Sequence, residues 1–186
     1  MLVEFWVLAF VGLALALGSN SPLPELRCDL QKYQDGSRCY PDPGLWYLMY
    51  RNYYADPDFG GSAKCVRYRV TGTYENFSTS IVFMYGEEGM VNGQGYLSSS
   101  PCYTAKNIAI FRPDNLSLPV EVYNLLYVDC DLCTIKRHPY VDNGHGCTLW
   151  RKADTLHLPA DGCEFIYDQN CGTSPKYKIF DETCPT

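Results

Sequence analysis

The chain has 186 residues, a formal net charge of −6 and 19% charged residues. That length suits a single folded domain, and the acidic balance argues against a nucleic-acid partner, because nucleic-acid-binding surfaces are basic. The chain also contains 10 cysteines, 16 tyrosines and 8 phenylalanines. Cysteines at this density and in an even number are typical of a secreted domain, for which we expect four or five disulfides.

Residues 1–18 have the pattern of a secretory signal peptide. The stretch from Leu2 to Leu17 is almost wholly apolar, and small residues precede the expected cleavage point. This apolar run is shorter than the roughly 20 residues of a membrane span. We therefore predict a secreted, extracellular domain of residues 19–186 that carries N-linked glycans at Asn76 and Asn115, each of which begins an Asn-x-Ser site.

Short apolar segments separated by turn-forming residues make up most of the chain. Residues 65–73 alternate like a half-buried strand, with Val66, Tyr68 and Val70 on one face and arginines, together with Cys65, on the outward face. The other predicted strands are residues 44–54, 80–85, 91–97, 103–111, 120–128, 133–137 and 147–151. Eight short strands at this spacing favour a β-sandwich or a β-barrel.

The two ends of the chain differ from this strand-rich centre. Residues 19–43 are polar and predicted to be loop-like. After Pro159 the pattern favours a helix of about three turns that ends at Gly172. A last short strand is predicted over residues 177–180. An order of eight strands, a helix and a short strand is unusual, so it limits the folds that are consistent with the sequence.

Two sets of residues resemble the motifs of a known family. Gly44-Leu45-Trp46, at the start of the first strand, resembles the lipocalin Gly-x-Trp signature. Cys130-Asp131-Leu132, Leu149-Trp150 and Cys163 together resemble the motif of tick salivary lipocalins, the histamine-binding family. The resemblance implies an all-β fold: an eight-stranded antiparallel lipocalin barrel with a C-terminal α-helix packed outside. It also implies that Arg151 packs against the tryptophan of the signature.

The same resemblance implies disulfides that tie the C-terminal part of the chain to the barrel. Cys65 is expected to pair with Cys184. Cys163 is expected to pair with Cys130 or Cys133, and the sequence leaves that choice open. A third expected bond joins Cys147 and Cys171. The disulfide partners of Cys28, Cys39 and Cys102 cannot be deduced from the sequence alone.

Family members that bind amines hold the cationic ligand with inward carboxylates and aromatic rings, which together compensate for the lost hydration of the ammonium group. In this chain Asp56 matches an acidic position, but Thr148 stands in place of a glutamate. Tyr123 stands in place of another carboxylate, with Glu121 two residues away on the same face. The ligand-binding residues that we expect are Tyr53, Asp56, Phe59, Tyr68, Phe83, Tyr123 and Trp150.

Two hypotheses for the ligand follow, both for a protein that sequesters a small host mediator to evade host defence. The first ligand is a biogenic amine such as histamine or serotonin. The second is a sterol, fatty acid or eicosanoid, as in Japanin-like immunomodulators, because a cavity without its carboxylates keeps apolar walls. Those walls include Val66, Val70, Leu125 and Tyr127. A third hypothesis is a scaffold whose loops bind a host immune protein or cell.

The sequence contains no motif that favours an enzyme, and we expect no cofactor or metal ion. The spacing of Cys130-x-x-Cys133 with His145 and Cys147 is tolerable for zinc, but cysteines of secreted proteins are mostly oxidised. The histidines fall in or near loops, where we expect solvated side chains: His138, His145 and His157. We expect a monomer without a membrane or nucleic-acid partner.

Overall fold

The computed structural model describes residues 23–40 and 42–185, and the predicted signal peptide lies outside the described residues. The strands are β1 (Leu45–Arg51), β2 (Arg67–Val70), β3 (Ser78–Tyr85), β4 (Gly89–Ser98), β5 (Ile108–Pro113), β6 (Glu121–Asp129), β7 (Cys133–His138), β8 (Gly146–Lys152) and β9 (Tyr177–Lys178). The α-helix, α1, is Asp161–Cys171. The 3₁₀ helices are Pro24–Leu26, Cys28–Tyr33, Gly36–Arg38, Asp142–Gly144 and Ala153–Thr155.

The strands β1 to β8 form a closed antiparallel barrel. Each strand pairs with the next one in the chain, and β1 pairs with both β8 and β2. The pairing of β1 with β2 ends at Tyr47, and β9 then pairs with β1 at Tyr50 and Arg51. The helix α1 packs on the outside, against β7 and β8. The predicted eight-stranded barrel with an external C-terminal helix is therefore confirmed.

Buried apolar residues lie on both faces of the barrel wall. Val66, Tyr68 and Val70 belong to the cluster inside the barrel, as their alternation predicts. A second cluster, which includes Ile135 and Tyr167, lies between the wall and α1. Parts of the wall are thus buried on both sides, and there the polarity of a residue does not reveal which face it occupies.

A β-bulge in each of two strands reverses the simple alternation of faces. In β1 the register shifts between Leu48 and Tyr50, so that Arg51 faces the inside of the barrel. In β6 the register shifts after Leu125, and Tyr127 packs outside against the cluster under α1. The prediction that Tyr127 lines the cavity is therefore wrong, because a bulge adds one residue and exchanges the two faces.

The expected contact between Arg151 and Trp46 is also wrong. Trp150 belongs to the inner cluster, so strand alternation turns Arg151 outward. Its guanidinium donates to carbonyl groups in the segment 155–158, at 2.6 and 2.9 Å. The residue opposite Trp46 on β8 is Lys152.

Five disulfides connect distant parts of the chain. Among the alternatives that the sequence leaves open, Cys163 is bonded to Cys133, which is fully buried under α1. Cys130 instead follows β6 and bonds to Cys39 of the N-terminal segment. The remaining bonds are Cys28–Cys102, Cys65–Cys184 and Cys147–Cys171.

A buried ion pair fixes the N-terminal segment that the sequence predicts only as a polar loop. Glu25 is completely buried, and the Nε atom of Arg137 on β7 donates to its carboxylate at 2.8 Å. Arg137 also donates to the carbonyl of Asn170 in α1, at 3.0 Å. One guanidinium therefore joins the N-terminal segment, the barrel wall and the helix.

The exterior carries the two predicted glycosylation sites. Asn76 precedes β3 and Asn115 lies between β5 and β6, and both residues are exposed. Their glycosylation stays a prediction. Within the described part of the chain, no helix combines the length and the apolar character needed to cross a membrane.

We expect the disulfide that closes the longest loop to stabilise the fold most. Cys65–Cys184 spans 119 residues, whereas Cys147–Cys171 spans 24. Because the entropy removed from the unfolded chain grows with loop length, replacing both cysteines by serine should lower the free energy of unfolding by about 5 kcal/mol for the first pair and about 3 kcal/mol for the second. Denaturant titration of the two double variants measures both values. The reverse order would contradict the loop-length argument.

Candidate ligand-binding site

The inside of the barrel, here called the lumen, holds a cavity of about 30 Å³ near the end formed by the β1–β2 and β7–β8 loops, here called the mouth. Tyr68 lies next to the lining residues, with its ring centre 5.3 Å from that of Phe83 and 5.1 Å from that of Trp150. The other predicted site residues line the cavity itself: Tyr53, Asp56, Phe59, Phe83, Tyr123 and Trp150. The fold thus brings the predicted residues together, and their role in binding stays a prediction.

Larger open grooves of about 600 and 440 Å³ lie on the outer surface of the protein. Neither groove contains any of the predicted ligand-binding residues. The small cavity in the lumen is therefore the better candidate site, although it is far smaller than either groove.

Phe59 closes the cavity from the β1–β2 loop. Its ring lies 6.0 Å from the ring of Phe83 and 5.6 Å from that of Phe111. The buried guanidinium of Arg51 holds this loop through two carbonyl groups, at 2.8 and 2.7 Å. Those carbonyl groups belong to Tyr54 and Gly61. The loop therefore places an aromatic ring over the cavity.

Two carboxylates meet at the mouth on one tyrosine hydroxyl. The hydroxyl of Tyr140 donates to Glu121 Oε2 and lies 3.4 Å from Asp56 Oδ2. The hydroxyl of Tyr53 donates to the same Asp56 oxygen at 3.0 Å. Burial raises the pKa of Glu121 to about 8; hydrogen bonds from Tyr140 and Tyr123 oppose this shift, and the Asp56 charge adds to it. The other oxygen of Glu121, Oε1, is buried without a hydrogen-bond partner.

The sequence prediction underestimated the acidity of the lumen. Glu121 is 2% exposed and belongs to the inward face of β6, next to Tyr123 on the same face. The lumen therefore contains a carboxylate besides Asp56. Sequence reasoning placed Glu121 on the correct face but gave it no role, and it missed Tyr140, which lies in a loop without a local signal.

A chain of hydrogen bonds runs from the middle of the lumen to the acidic pair. Trp150 Nε1 donates to Thr148 Oγ1 at 2.9 Å, and this oxygen lies 2.8 Å from His138 Nε2. His138 Nδ1 lies 3.1 Å from the Tyr140 hydroxyl. With Glu121 ionised, Tyr140 donates its only proton to the carboxylate and accepts from Nδ1, so that Nε2 accepts from Thr148. In that ionisation state the hydrogen bonds select the imidazole tautomer that is protonated on Nδ1.

His138 is a correction to the sequence analysis, which predicted a solvated side chain. The residue is 3% exposed, and burial together with nearby cations lowers its pKa well below the usual value. It is the last inward residue of β7, whose buried residues Cys133 and Ile135 face α1 instead. The other two predicted surface histidines, His145 and His157, are exposed.

Lys136, two residues before His138 on β7, places its ammonium group among aromatic rings. The side chain is buried, and Nζ lies 4.5 Å from the ring centre of Tyr68, 4.6 Å from Trp150 and 5.3 Å from Tyr123. Burial lowers the pKa of Lys136 to about 7. No salt bridge within residues 23–40 and 42–185 includes it. The ring faces are therefore the groups that stabilise its charge.

Comparisons with known proteins agree with this architecture. Three solved structures resemble the chain. AM182 in complex with serotonin has 18% sequence identity and a TM-score of 0.58, and the match covers 81% of this chain and 92% of that chain. Japanin from Rhipicephalus appendiculatus bound to cholesterol has 14% identity and a TM-score of 0.53 over 78% of this chain and 98% of that chain, and apocrustacyanin C2 has 18% identity and a TM-score of 0.56 over 84% of this chain and 87% of that chain. At these identities the likeness is one of fold, the lipocalin barrel. No curated protein matches the sequence.

A family model described as tick histamine binding protein matches residues 27–186. This match includes every strand of the barrel and the helix α1. The fold and the family are those of ligand-binding carriers. The chain therefore belongs to the tick histamine-binding protein family.

Proposed function

We propose that this protein captures a small host-derived amine at the mouth of its barrel, with Asp56 and Glu121 as the paired carboxylates. The observation that carries the proposal is their convergence on Tyr140, with a buried Glu121 oxygen that has no hydrogen-bond partner. Burial disfavours the ionised form of Glu121, and an ammonium group supplies both the opposite charge and a donor for the oxygen without a partner. The ring of Phe59 also lines the cavity and can contact a cation.

The family supports a ligand of this class. The matching family model describes a histamine-binding protein, and the AM182 structure is a serotonin complex. In this proposal the protein is a secreted, monomeric carrier without enzymatic activity, and it removes an amine mediator to blunt host defence. The proposal that the protein is secreted rests on the pattern of residues 1–18 and on the five disulfides.

Ligand entry needs movement at the mouth. A volume of about 30 Å³ is close to the share of one water molecule in the liquid, so an amine with a ring does not fit the cavity as it stands. Phe59 lies on a loop and lines the cavity, and withdrawal of its ring from Phe83 and Phe111 enlarges the space. The β1–β2 loop is therefore the element that we expect to move.

An apolar ligand is the second candidate. The inner cluster contains Val66, Val70, Phe83 and Leu125, so the lower lumen offers the apolar walls that such a ligand requires. Japanin, bound to cholesterol, shares the fold. Native mass spectrometry of the secreted protein decides this point, because a co-purified lipid would favour the apolar ligand over the amine.

Removing either carboxylate should weaken amine binding. We expect Asp56→Asn and Glu121→Gln each to reduce the affinity for histamine or serotonin by about 100-fold, since leaving one buried charge of a pair without its partner costs roughly 3 kcal/mol or more. Calorimetric titration measures the change. Glu87→Gln is the matched control, because Glu87 is exposed in the turn between β3 and β4. If both mouth variants bound amines like the wild type, the proposed site would be wrong.

Amine binding should strengthen as the pH rises. The ammonium group needs the ionised form of Glu121, whose pKa is raised to about 8, so at neutral pH the ligand displaces a proton. We therefore expect proton release on binding, and an affinity that increases from about pH 6 to pH 8 and then levels off. Calorimetry in buffers with different ionisation enthalpies measures the released protons. Glu121→Gln should abolish the release, and release that persists in this variant would assign the proton to another group.

A further inference from the structure

We propose that Lys136 selects the far end of the ligand, so that the barrel prefers aromatic amines with a ring hydroxyl opposite the amine side chain. In this arrangement the ammonium group of the ligand lies at the mouth, and Lys136 Nζ forms a hydrogen bond with the ring hydroxyl. The inference rests on the proposed amine site and deepens it by naming the ligand class.

The spacing along β7 supports this arrangement. Lys136 and His138 are successive inward residues, roughly 7 Å apart along the strand. His138 contacts Tyr140, which in turn contacts both mouth carboxylates. Lys136 therefore lies about one aromatic ring deeper in the lumen than the proposed ammonium site. A ligand that consists of an amine side chain and an aromatic ring spans this interval.

Lys136 is also a polar group of the deeper lumen, and it has no polar partner among the described residues. Trp150, Thr148 and His138 are already committed to one hydrogen-bonded chain. The Lys136 ammonium, by contrast, has aromatic faces as its neighbours and forms none of the salt bridges among the described residues. The rings of Tyr123 and Trp150 line the cavity and also lie 5.3 and 4.6 Å from Lys136 Nζ, so Lys136 lies just behind the cavity wall.

The charge of Lys136 permits a cationic ligand nearby. Burial lowers its pKa to about 7, so that the neutral amine is well populated at neutral pH and can donate or accept. The charged groups that face the lumen are Arg51 from β1, Asp56 from the β1–β2 loop and Glu121 from β6; His138 on β7 is neutral because of its burial. An ammonium group therefore finds its attraction at the mouth, and Lys136 adds little repulsion in its neutral form.

A hydroxyl at this point should produce marked selectivity. A ring hydroxyl gives the buried Lys136 a hydrogen bond that it lacks in the free protein, and an analogue without the hydroxyl leaves it without a partner. We expect serotonin to bind about tenfold or more tightly than tryptamine, which differs only by the ring hydroxyl.

Calorimetric titration of the full secreted protein with serotonin and tryptamine tests the inference. Lys136→Met keeps the length of the side chain and removes its polar head. The variant should therefore bind serotonin more weakly, with an affinity about equal to its affinity for tryptamine. If Lys136 had a purely structural role, the substitution would weaken the binding of serotonin and tryptamine equally. Lys106→Met is the matched control, because the Lys106 ammonium also lies over an aromatic ring, 4.3 Å from the centre of Phe77, but belongs to the β4–β5 loop away from the lumen lining.

The outcomes separate the two proposals. Binding of neither amine would overturn the proposed function. Equal binding of serotonin and tryptamine to the wild type would overturn the role of Lys136 and leave the amine site intact, and this result does not depend on the variant folding. Selectivity that survives in Lys136→Met would assign the hydroxyl contact to another residue and also overturn the inference.

Discussion

The hydrogen-bonded chain inside the barrel determines the arrangement of the mouth. It links β8 through Trp150 and Thr148 to β7 through His138, and then to β6 through Glu121. Each group is buried, so each needs a partner, and satisfying one group fixes the orientation of the next. Thr148 connects the indole to the imidazole, because its hydroxyl oxygen accepts from Trp150 Nε1 and lies 2.8 Å from His138 Nε2. A carboxylate at that position would leave His138 and Tyr140 oriented differently.

The interior can hold these polar groups because the outside of the same strands is covered. Cys133 and Ile135 on β7 are completely buried beneath α1, and the bond from Cys133 to Cys163 attaches the helix at that point. The outer face of β7 therefore carries Cys133, Ile135 and the ion-paired Arg137, whereas Lys136 and His138 face the lumen. A strand with this inverted polarity is stable only where the outer layer replaces the solvent.

The same inversion explains what the sequence could and could not predict. Strand number, the external helix and the inward face of Val66, Tyr68 and Val70 follow from local patterns and from family motifs. Arg51 reaches the lumen only because β1 contains a bulge, and a bulge leaves no mark in the alternation of residue types. Tyr140 joins the site through a loop. These contributions arise from long-range packing, which short-range sequence patterns do not encode.

The two carboxylates at the mouth favour a ligand that brings a positive charge. Burial raises the pKa of Glu121 to about 8, so an ammonium group replaces a proton there and the net charge of the buried site changes little. A neutral sterol offers no such exchange, and it would remove Asp56 and Glu121 further from water, which is unfavourable. An apolar ligand avoids this cost only if it stays below the carboxylates, where it would surround the Lys136 ammonium group without offering it a hydrogen bond. The polar groups of the mouth therefore contribute more than the apolar walls to the choice of ligand.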